Sequence, residues 1–439
     1  MKLVCGTVIA LGAAATLCSS PASAQSIEPA IFVANYGGVE GSVSSFTVNP
    51  DGTLNFVQKV ITGSGQNHPG TGAQVIDISP NGRWLIVGHG TISTTFEQLT
   101  FIEVRNDASM NIAFTTTTLD SPVGAVWLND EYVAVTGTPL GDDYIIIYKV
   151  NFDTQSITQH WYQTVPYTFD LVVDRANSML YARADTSAVQ PFRIRPDFTI
   201  VKATANPVPT GVFFLGPGLS PDGTKLYYGG GISSQGHSIG GFNIDVETGE
   251  LTPIPGQPFH SPGVSPKQVV VSRNGDYAFA SHGTDASIRG FRISPTTGAL
   301  QENTLPGAEY TVGAQGDCGN MRVMGDLLFV TRRYSSSTYG PAGVLSFTIK
   351  QDGTLAQNGD TFSTQGSRPW DITVWPGVVS VCTADITGDG LVNVNDLLVV
   401  IGAWGNCPAR GTCDGDITGD NAVNVDDLLM VLGAWGACE

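Results

Sequence analysis

The chain has 439 residues and a formal net charge of −18 at pH 7, and only 14% of its residues are charged. This acidic balance argues against a nucleic-acid partner, because phosphate backbones are bound through lysine and arginine. The acidic side chains are mostly scattered along the sequence, a distribution that usually serves solubility.

The first 24 residues have the pattern of a secretory signal peptide. Lys2 precedes an apolar run, and residues 22–24 form a small-residue cleavage site just before Gln25. No later stretch is long and apolar enough for a membrane span. We therefore expect an exported, extracellular protein that has no membrane span.

Between about residues 28 and 376 a repeat averaging roughly fifty residues indicates a β-propeller. Its marker is an alternating strand that ends in an aromatic or branched residue. Tight Asp-Gly or Thr-Gly turns follow several copies, as at Asp51-Gly52 and Thr248-Gly249. The copies lie at residues 43–48, 99–104, 144–150, 189–194, 240–244, 288–293 and 344–349.

The two ends of this region complement each other. Residues 31–36 form a strand with no inner strand before it, and residues 369–374 form an inner strand with nothing after it. Joining them would complete a seventh blade and close the ring without a free edge. We predict an all-β, seven-bladed propeller; a pair of β-sandwiches is the alternative, which explains neither the uniform period nor the complementary ends.

Several of these segments resemble the 6-phosphogluconolactonase-like family of seven-bladed propellers. They are residues 32–36 (Phe-Val-Ala-Asn-Tyr), residues 41–46 with the turn at 51–54, and residues 79–85 (Ser-Pro-Asn-Gly-Arg-Trp-Leu). In members that open or close lactone rings, the resemblance implies His, Arg and Glu at the mouth of the central channel. The inner strand that carries His in such members reads Ala-Gln-Val-Ile-Asp at residues 73–77. Its lack of His favours binding over hydrolysis.

Aligning the blades on their first tight turn places polar residues at one equivalent position in four consecutive blades, and small residues in the others. We predict that these four side chains converge on one side of the channel. Arg and His there would stabilise an oxyanion and activate water, and Asn would contact the ligand. The alternative is that they only hydrogen-bond loop backbone. The candidates are His89, His282 and Arg332 for catalysis and Asn35 for ligand binding.

After a short linker at residues 377–381, a segment that starts at Asp385 recurs thirty-one residues later at Asp416. The spacing of its oxygen-bearing residues matches an EF-hand loop, and Gly390 or Asn421 stands at the sharp turn. Two acidic turns are the alternative, but two copies in register favour two calcium sites. The predicted ligands are Asp385, Thr387, Asp389, the Leu391 carbonyl, Asn393 and Asp396, and Asp416, Thr418, Asp420, the Ala422 carbonyl, Asn424 and Asp427.

Each loop leads into a predicted helix with apolar residues at i, i+3, i+4 and i+7, within residues 397–404 and 428–435. The duplication, the spacing and the Leu-Leu pair after each loop resemble the dockerin family over about residues 382–439. The resemblance implies two calcium ions, pseudo-two-fold repeats and docking onto a cohesin domain. Loop positions 10 and 11, which help dockerins choose a cohesin, are not the usual small hydroxyl pair here. The expected partner is therefore a cohesin-like or cell-surface protein.

Four cysteines repeat in register with the two loops: Cys382, Cys407, Cys413 and Cys438. Zinc is the competing interpretation, but zinc ligand pairs usually lie two to four residues apart, and an exported protein favours disulfides. Four cysteines allow three connectivities. The antiparallel helices of dockerins imply Cys382–Cys438 and Cys407–Cys413. Cys318 is left over and is expected to be a buried thiol.

Two functions stay open. The first is a secreted calcium-binding protein whose lactonase-like propeller is a ligand- or protein-binding scaffold, tethered by the dockerin-like module. The second is an extracellular lactonase-type hydrolase. Because dockerins are often attached to polysaccharide-degrading enzymes, a carbohydrate or lactone ligand is expected by association.

Overall fold

The computed structural model describes residues 28–37, 41–62, 72–91, 94–118, 121–137, 143–231, 236–316, 318–377, 384, 386, 391–407, 413, 415–418 and 422–437. Within them the chain forms seven antiparallel sheets, here called blades, followed by a unit with two short helices. None of the helices among these residues has the length and apolar character needed to cross a membrane.

The first half of the ring contains the start of blade 7 and all of blades 1 to 3. The first strand of each of blades 1 to 6 lines the channel and is its inner strand. The strands are β1 (Ala30–Asn35), β2 (Ser42–Val48) and β3 (Leu54–Ile61); β4 (Ala73–Ile78), β5 (Trp84–Thr91), β6 (Thr94–Val104) and β7 (Met110–Thr117) in blade 1; β8 (Pro122–Trp127), β9 (Tyr132–Gly137), β10 (Tyr144–Asn151) and β11 (Ser156–Thr164) in blade 2; and β12 (Leu171–Asp174), β13 (Met179–Arg183), β14 (Ala188–Ile194), β15 (Ile200–Lys202) and β16 (Val208–Pro209) in blade 3.

Blades 4 to 6 repeat the same order, and one more inner strand follows them. The strands are β17 (Leu215–Leu219), β18 (Lys225–Gly229), β19 (Ser238–Ile244), β20 (Leu251–Pro253) and β21 (Phe259–His260) in blade 4; β22 (Pro266–Val271), β23 (Tyr277–His282), β24 (Ser287–Ile293), β25 (Leu300–Glu302) and β26 (Glu309–Thr311) in blade 5; β27 (Cys318–Met324), β28 (Leu327–Arg332), β29 (Gly343–Ile349) and β30 (Leu355–Gln357) in blade 6; and β31 (Pro369–Trp375), the inner strand of blade 7.

Blade 7 is built from both ends of the propeller. The strand β31 pairs antiparallel with β1, with Ala30 opposite Trp375, and supplies the inner strand that β1 to β3 lack. Each inner strand contacts the inner strand of the next blade, and β31 contacts β4. The predicted seven-bladed ring and its closure by the two ends are therefore confirmed, and the β-sandwich alternative is wrong.

The core lies between the blades. Because each sheet packs between two others, its middle strands are buried on both faces, as in β10, where five consecutive residues from Tyr144 are buried. Aromatic rings fill the space between blades 1 and 2: Phe101 meets Trp127 edge to face at 6.0 Å, and Trp84 stacks on Phe152 at 3.6 Å. This packing makes the ring a rigid support for the loops at its two ends.

The C-terminal unit contains two similar repeats. In chain order its elements are β32 (Leu391–Val392), α1 (Val394–Gly402), β33 (Gly405–Asn406), β34 (Ala422–Val423), α2 (Val425–Gly433) and β35 (Gly436–Ala437). The strand after each helix pairs with the strand before the other helix, β32 with β35 and β33 with β34. This reciprocal pairing gives the unit a pseudo-two-fold arrangement.

The two helices bury less than their apolar spacing predicts. Val400 and Val431 are fully buried, whereas Trp404 and Trp435 lie beyond the helix ends and are about half exposed. The predicted apolar stripe therefore divides into a small core and an exposed apolar surface.

Candidate functional site

Polar side chains on the inner strands join one blade to the next. Each of three accepts a hydrogen bond from a backbone N–H of the following inner strand, so that a group facing the channel satisfies a donor that the blade's own ladder leaves free. These pairs are Asp77 with Trp127 (2.8 Å), Gln268 with Met321 (2.6 Å) and Asp371 with Ile76 (3.1 Å).

One end of the channel, here called the mouth, is where the inner strands begin. Six of the seven blades have a register shift between the inner strand and its partner at this end. Such a bulge takes a residue out of the ladder and re-aims its side chain. In blade 5 the extra residue is Lys267, and in blade 7 it is Trp370.

Lys267 and Arg333 bring two positive charges together at the mouth. Burial, and after it the charge of Arg333, holds the pKa of Lys267 below its usual value. The lysine stem crosses Gly283 so closely that a Cβ there would lie 2.2 Å from its Cε. Arg333 stacks on Trp370, with its guanidinium carbon 3.7 Å from the ring centroid. Next to both cations is the buried Cys318 thiol, which is free, as expected, and whose pKa burial raises to about 12.

Asp170 lies at the same end, just before inner strand β12. Burial raises the pKa of Asp170 to about 6, against the opposing charge of Arg183 and a backbone hydrogen bond from Gly216. Gly216, on the inner strand of blade 4, also approaches the Lys267 carbonyl so closely that a Cβ would lie 2.5 Å from it. A carboxyl group that ionises near neutral pH and a pair of cations therefore lie at the same end of the channel, in blades 3, 5 and 6.

The four propeller residues predicted from sequence all lie at the mouth end of second strands, and all are buried. Asn35 donates to the hydroxyls of Ser42 (3.2 Å) and Ser44 (2.9 Å) on the next strand of its own blade. His89 lies 3.2 Å from the Thr100 hydroxyl, also on the third strand. These contacts direct both side chains outwards within their blades.

His282 and Arg332 are likewise held by their surroundings. His282 Nδ1 lies 3.2 Å from the Ser287 carbonyl, and Nε2 lies 2.7 Å from the Ser261 hydroxyl. Burial lowers the pKa of His282 to about 4, so the ring is neutral near pH 7, with Nδ1 donating and Nε2 accepting. Arg332 donates to the Val312 carbonyl (2.6 Å) and the Thr361 hydroxyl (2.9 Å).

These hydrogen bonds hold each of the four within its own blade or the connections beside it. A catalytic or ligand-binding role for them stays a prediction. Lys267, Trp370 and Asp170 were missed because they lie at or just before the starts of inner strands, whereas the prediction compared second strands. Arg333 was also missed, although it directly follows the compared residue Arg332. The signal in the sequence is a charge or a Trp close to the end of an apolar strand.

In the second C-terminal repeat, the described calcium-ligand candidates lie close together. The Thr418 hydroxyl is 3.0 Å from Asp427 and 3.4 Å from Asp416, so the oxygens of loop positions 1, 3 and 12 are neighbours. The Asn424 amide is 3.4 Å from the Ala422 carbonyl, which is position 7. Hard oxygen donors of this kind suit calcium. The residues present therefore fit the ion.

In the first repeat only the later loop positions are described. The Asn393 N–H donates to the fully buried Asp396 carboxylate at 2.9 Å, as the Asn424 N–H does to Asp427 at 2.8 Å. The signal peptide, most of the linker and several candidate residues lie outside the described residues. These residues are Asp385, Thr387, Asp389, Asp420, Cys382 and Cys438.

The structure joins Cys407 to Cys413 in a disulfide, with a Cα–Cα distance of 5.6 Å. Two sulfurs bonded to each other are not available as zinc thiolates. For this pair the structure therefore favours the disulfide over the zinc alternative.

No protein-family model matches the chain, and no curated protein matches it by sequence. Solved structures do match. They include a presumed 6-phosphogluconolactonase from Bacteroides uniformis (16% identity, TM-score 0.63, covering 80% of this chain and 100% of that one) and the periplasmic gluconolactonase PpgL from Pseudomonas aeruginosa (17%, 0.61, 79% and 98%). A hypothetical selenium-binding protein from Sulfolobus tokodaii also matches (12%, 0.58, 81% and 95%). At these identities the likeness shows the fold alone, a seven-bladed β-propeller.

Proposed function

We propose that the protein is an exported binding protein whose propeller holds a small polar ligand at the mouth, and whose C-terminal unit binds two calcium ions and docks onto a partner protein. The observation that carries the propeller's role is the set of bulges that turn Lys267 and Trp370 out of the ladder at one end of the channel. Half-buried charges with perturbed pKa values in a concave site are typical of binding and catalytic sites.

The direct test is to measure, by calorimetry, whether the purified mature protein binds any of a panel of sugars, sugar acids and lactones. Binding that is lost in Lys267→Met and kept in Lys225→Met supports the mouth. Lys225 is the matched control because it begins the second strand β18, at the opposite end of its blade. Binding that survives in Lys267→Met contradicts the assignment.

Lactone hydrolysis is the second candidate, and Asp170 is the observation that favours it. A carboxylate with a pKa of about 6 is a suitable general base for water near neutral pH. Lys267 and Arg333 would stabilise the oxyanion formed on the ring carbonyl, and His89, His282 and Arg332 would hold the surrounding loops. Turnover of any lactone that disappears in Asp170→Asn supports hydrolysis. Turnover that Asp170→Asn retains removes Asp170 from that role.

The calcium proposal rests on the duplicated loop and on the approach of Asp416, Thr418 and Asp427 oxygens to one another. Leu391 and Ala422 would add their carbonyls, and the remaining candidates would complete each set. When bound, the ions would supply positive charge that holds each loop against its helix. Titration of the chelator-treated protein should give two sites per chain, and Asp427→Ala should leave one.

The exposed apolar surface of the C-terminal unit supports docking onto a protein. Val394, Leu398, Ile401 and Trp404 are about half exposed, and so are the equivalent residues of the second repeat, Val425, Leu429, Leu432 and Trp435. Large exposed apolar patches mark interaction sites. We propose a cohesin-like domain as the partner. Calcium-dependent co-elution with such a domain that is lost in Leu398→Asp, Leu429→Asp supports this, and absence of co-elution with the unaltered chain contradicts it.

A further inference from the structure

We infer that the Cys407–Cys413 disulfide is a positioning element of the second calcium loop. It holds Asp416, the first ligand of that loop, so calcium affinity at the second site depends on the oxidation state of these two cysteines. The inference rests on the proposed calcium binding and adds a form of regulation to that site.

The backbone beside the disulfide fixes the place where the second loop begins. Asp416 lies three residues after Cys413, and its N–H donates to the Cys413 carbonyl at 2.9 Å. The disulfide joins Cys413 to Cys407, which directly follows β33, with a Cα–Cα distance of 5.6 Å. The first ligand of the second loop is therefore tied to the end of the first repeat by one hydrogen bond and one covalent bond.

The disulfide also packs against the Asp416 side chain. Both sulfurs and a carboxylate oxygen of Asp416 lie within 4.8 Å of one another, and the Cys407 sulfur is 3.5 Å from Oδ2. The other oxygen, Oδ1, is 3.4 Å from the hydroxyl of Thr418, at loop position 3. Because a sulfur in a disulfide has no hydrogen to donate, the sulfur contact is one of packing. It restricts rotation of the carboxylate and leaves Oδ1 beside the other ligands of the loop.

The strand before Cys407 holds a second ligand of the same loop. This strand, β33, pairs with β34, and Asn406 lies opposite Ala422, whose carbonyl is loop position 7. Gly415, directly before the first ligand, packs against the end of α1, where an added Cβ would lie 3.1 Å from that of Ala403. The end of the first repeat therefore contacts the second loop at position 1 and at position 7.

Reduction of the disulfide would release the covalent part of this hold. A dithiol reductant breaks the S–S bond, leaves two thiols on the protein and is itself oxidised to a cyclic disulfide. The first ligand must then be ordered when calcium binds, which costs binding free energy. Groups that orient metal ligands typically change metal affinity by roughly 10- to 100-fold when they are removed, and we expect a weakening of this size at the second site.

The test is calorimetric titration of the mature protein with calcium alone, after one site at a time has been removed. Asp396→Ala leaves the second site, and Asp427→Ala leaves the first. Adding Cys407→Ser and Cys413→Ser should weaken calcium binding roughly 10- to 100-fold in the Asp396→Ala protein and leave it unchanged in the Asp427→Ala protein. Cys318→Ser, which replaces the buried free thiol of the propeller, is the matched control and should change neither. A dithiol should also weaken the second site, and reoxidation should restore it.

The outcomes separate this inference from the proposed function. Two calcium sites that both keep their affinity in the serine variants would overturn the inference and leave calcium binding standing. Equal weakening of both sites would also overturn it, because the disulfide would then support the fold of the whole unit. If the unaltered chain binds no calcium, the inference and the calcium proposal both fail. Where a single-site variant does not fold, two-site titration of the chain carrying only the serine changes gives the same comparison.

Discussion

Replacing Asp371 by alanine should destabilise the propeller where its two ends meet. The side chain is 3% exposed and lies on β31, the strand that closes the ring. One oxygen accepts from the Ile76 N–H of blade 1 at 3.1 Å, and the other accepts from the Asn320 amide of blade 6 at 2.8 Å. Arg322 lies 3.5 Å away. One carboxylate therefore connects three consecutive blades.

The expected loss in the free energy of unfolding is roughly 2–5 kcal/mol. Leaving a buried donor unpaired costs roughly 1–3 kcal/mol, and the substitution leaves two donors unpaired, the buried Ile76 N–H and the half-buried Asn320 amide. Arg322 is partly exposed and can be rehydrated, so it adds little. Asp371→Asn keeps one carbonyl oxygen as an acceptor and should lose about half as much. Asp360, which is exposed, provides the control: Asp360→Ala should change stability by less than about 0.5 kcal/mol.

The assay is urea unfolding followed by tryptophan fluorescence, and the quantity compared is the midpoint at an unchanged slope. A loss of less than about 1 kcal/mol in Asp371→Ala, indistinguishable from Asp360→Ala, would refute the idea that this carboxylate holds the ring closed. A full loss in Asp371→Asn as well would show that both oxygens are needed.

Three further predictions follow from other sites. Asp170 has a pKa of about 6 in the native protein and about 3.9 when unfolded, so its contribution to the free energy of unfolding is full below pH 4 and is lost as the pH rises through 6. Between pH 4 and pH 7, the stability of Asp170→Asn should therefore rise by up to about 3 kcal/mol relative to that of the unaltered protein. A stability difference that is equal at both pH values would contradict this. Calcium at one hundred times its Kd should stabilise the C-terminal unit by about 2.7 kcal/mol, measured by melting with and without chelator, and melting that ignores chelator would exclude the sites. Gly283→Ala places a Cβ 2.2 Å from the Lys267 stem and should displace that side chain and weaken ligand binding, by no more than Lys267→Met does, while Gly402→Ala, in open space, should not.

The architecture of the propeller was predictable because each repeat has a recognisable short-range sequence pattern. The third strands from Ser42–Val48 to Gly343–Ile349 alternate strongly and end at turns that need glycine, as at Gly52 and Gly353, both at positive φ. The unpaired inner strand at one end and the missing one at the other indicated closure. These are local signals, and the ring follows from counting them.

The site was less predictable because bulges change which residue leaves the ladder. A one-residue shift reverses the side-chain alternation of a strand, so whether Lys267 or Gln268 faces the mouth is decided by the pairing of Pro266 with His282 and of Gln268 with Ser281. Those partners lie on another strand. An alignment on second strands selected His89 and His282 instead, which are polar because they hydrogen-bond to third strands and loops.

The acidic and the basic side chains on and beside the inner strands have different roles, and this difference separates the two proposed activities. Asp77, Asp371 and Asp170 each accept a backbone N–H from a neighbouring inner strand, a structural task that keeps a carboxylate oriented and occupied. Lys267 has no such task. Binding of a ligand needs no proton transfer, so it is compatible with every carboxylate remaining structural. Hydrolysis needs one carboxylate to take a proton from water as well. Burial raises the pKa of both Asp77 and Asp170, and Asp170, whose pKa is about 6 and which lies at the mouth, is the one proposed here. A protein that binds gluconate through Lys267 and is unaffected by Asp170→Asn is therefore a binding protein, whereas turnover that rises with pH through about 6 and vanishes in Asp170→Asn requires an enzyme.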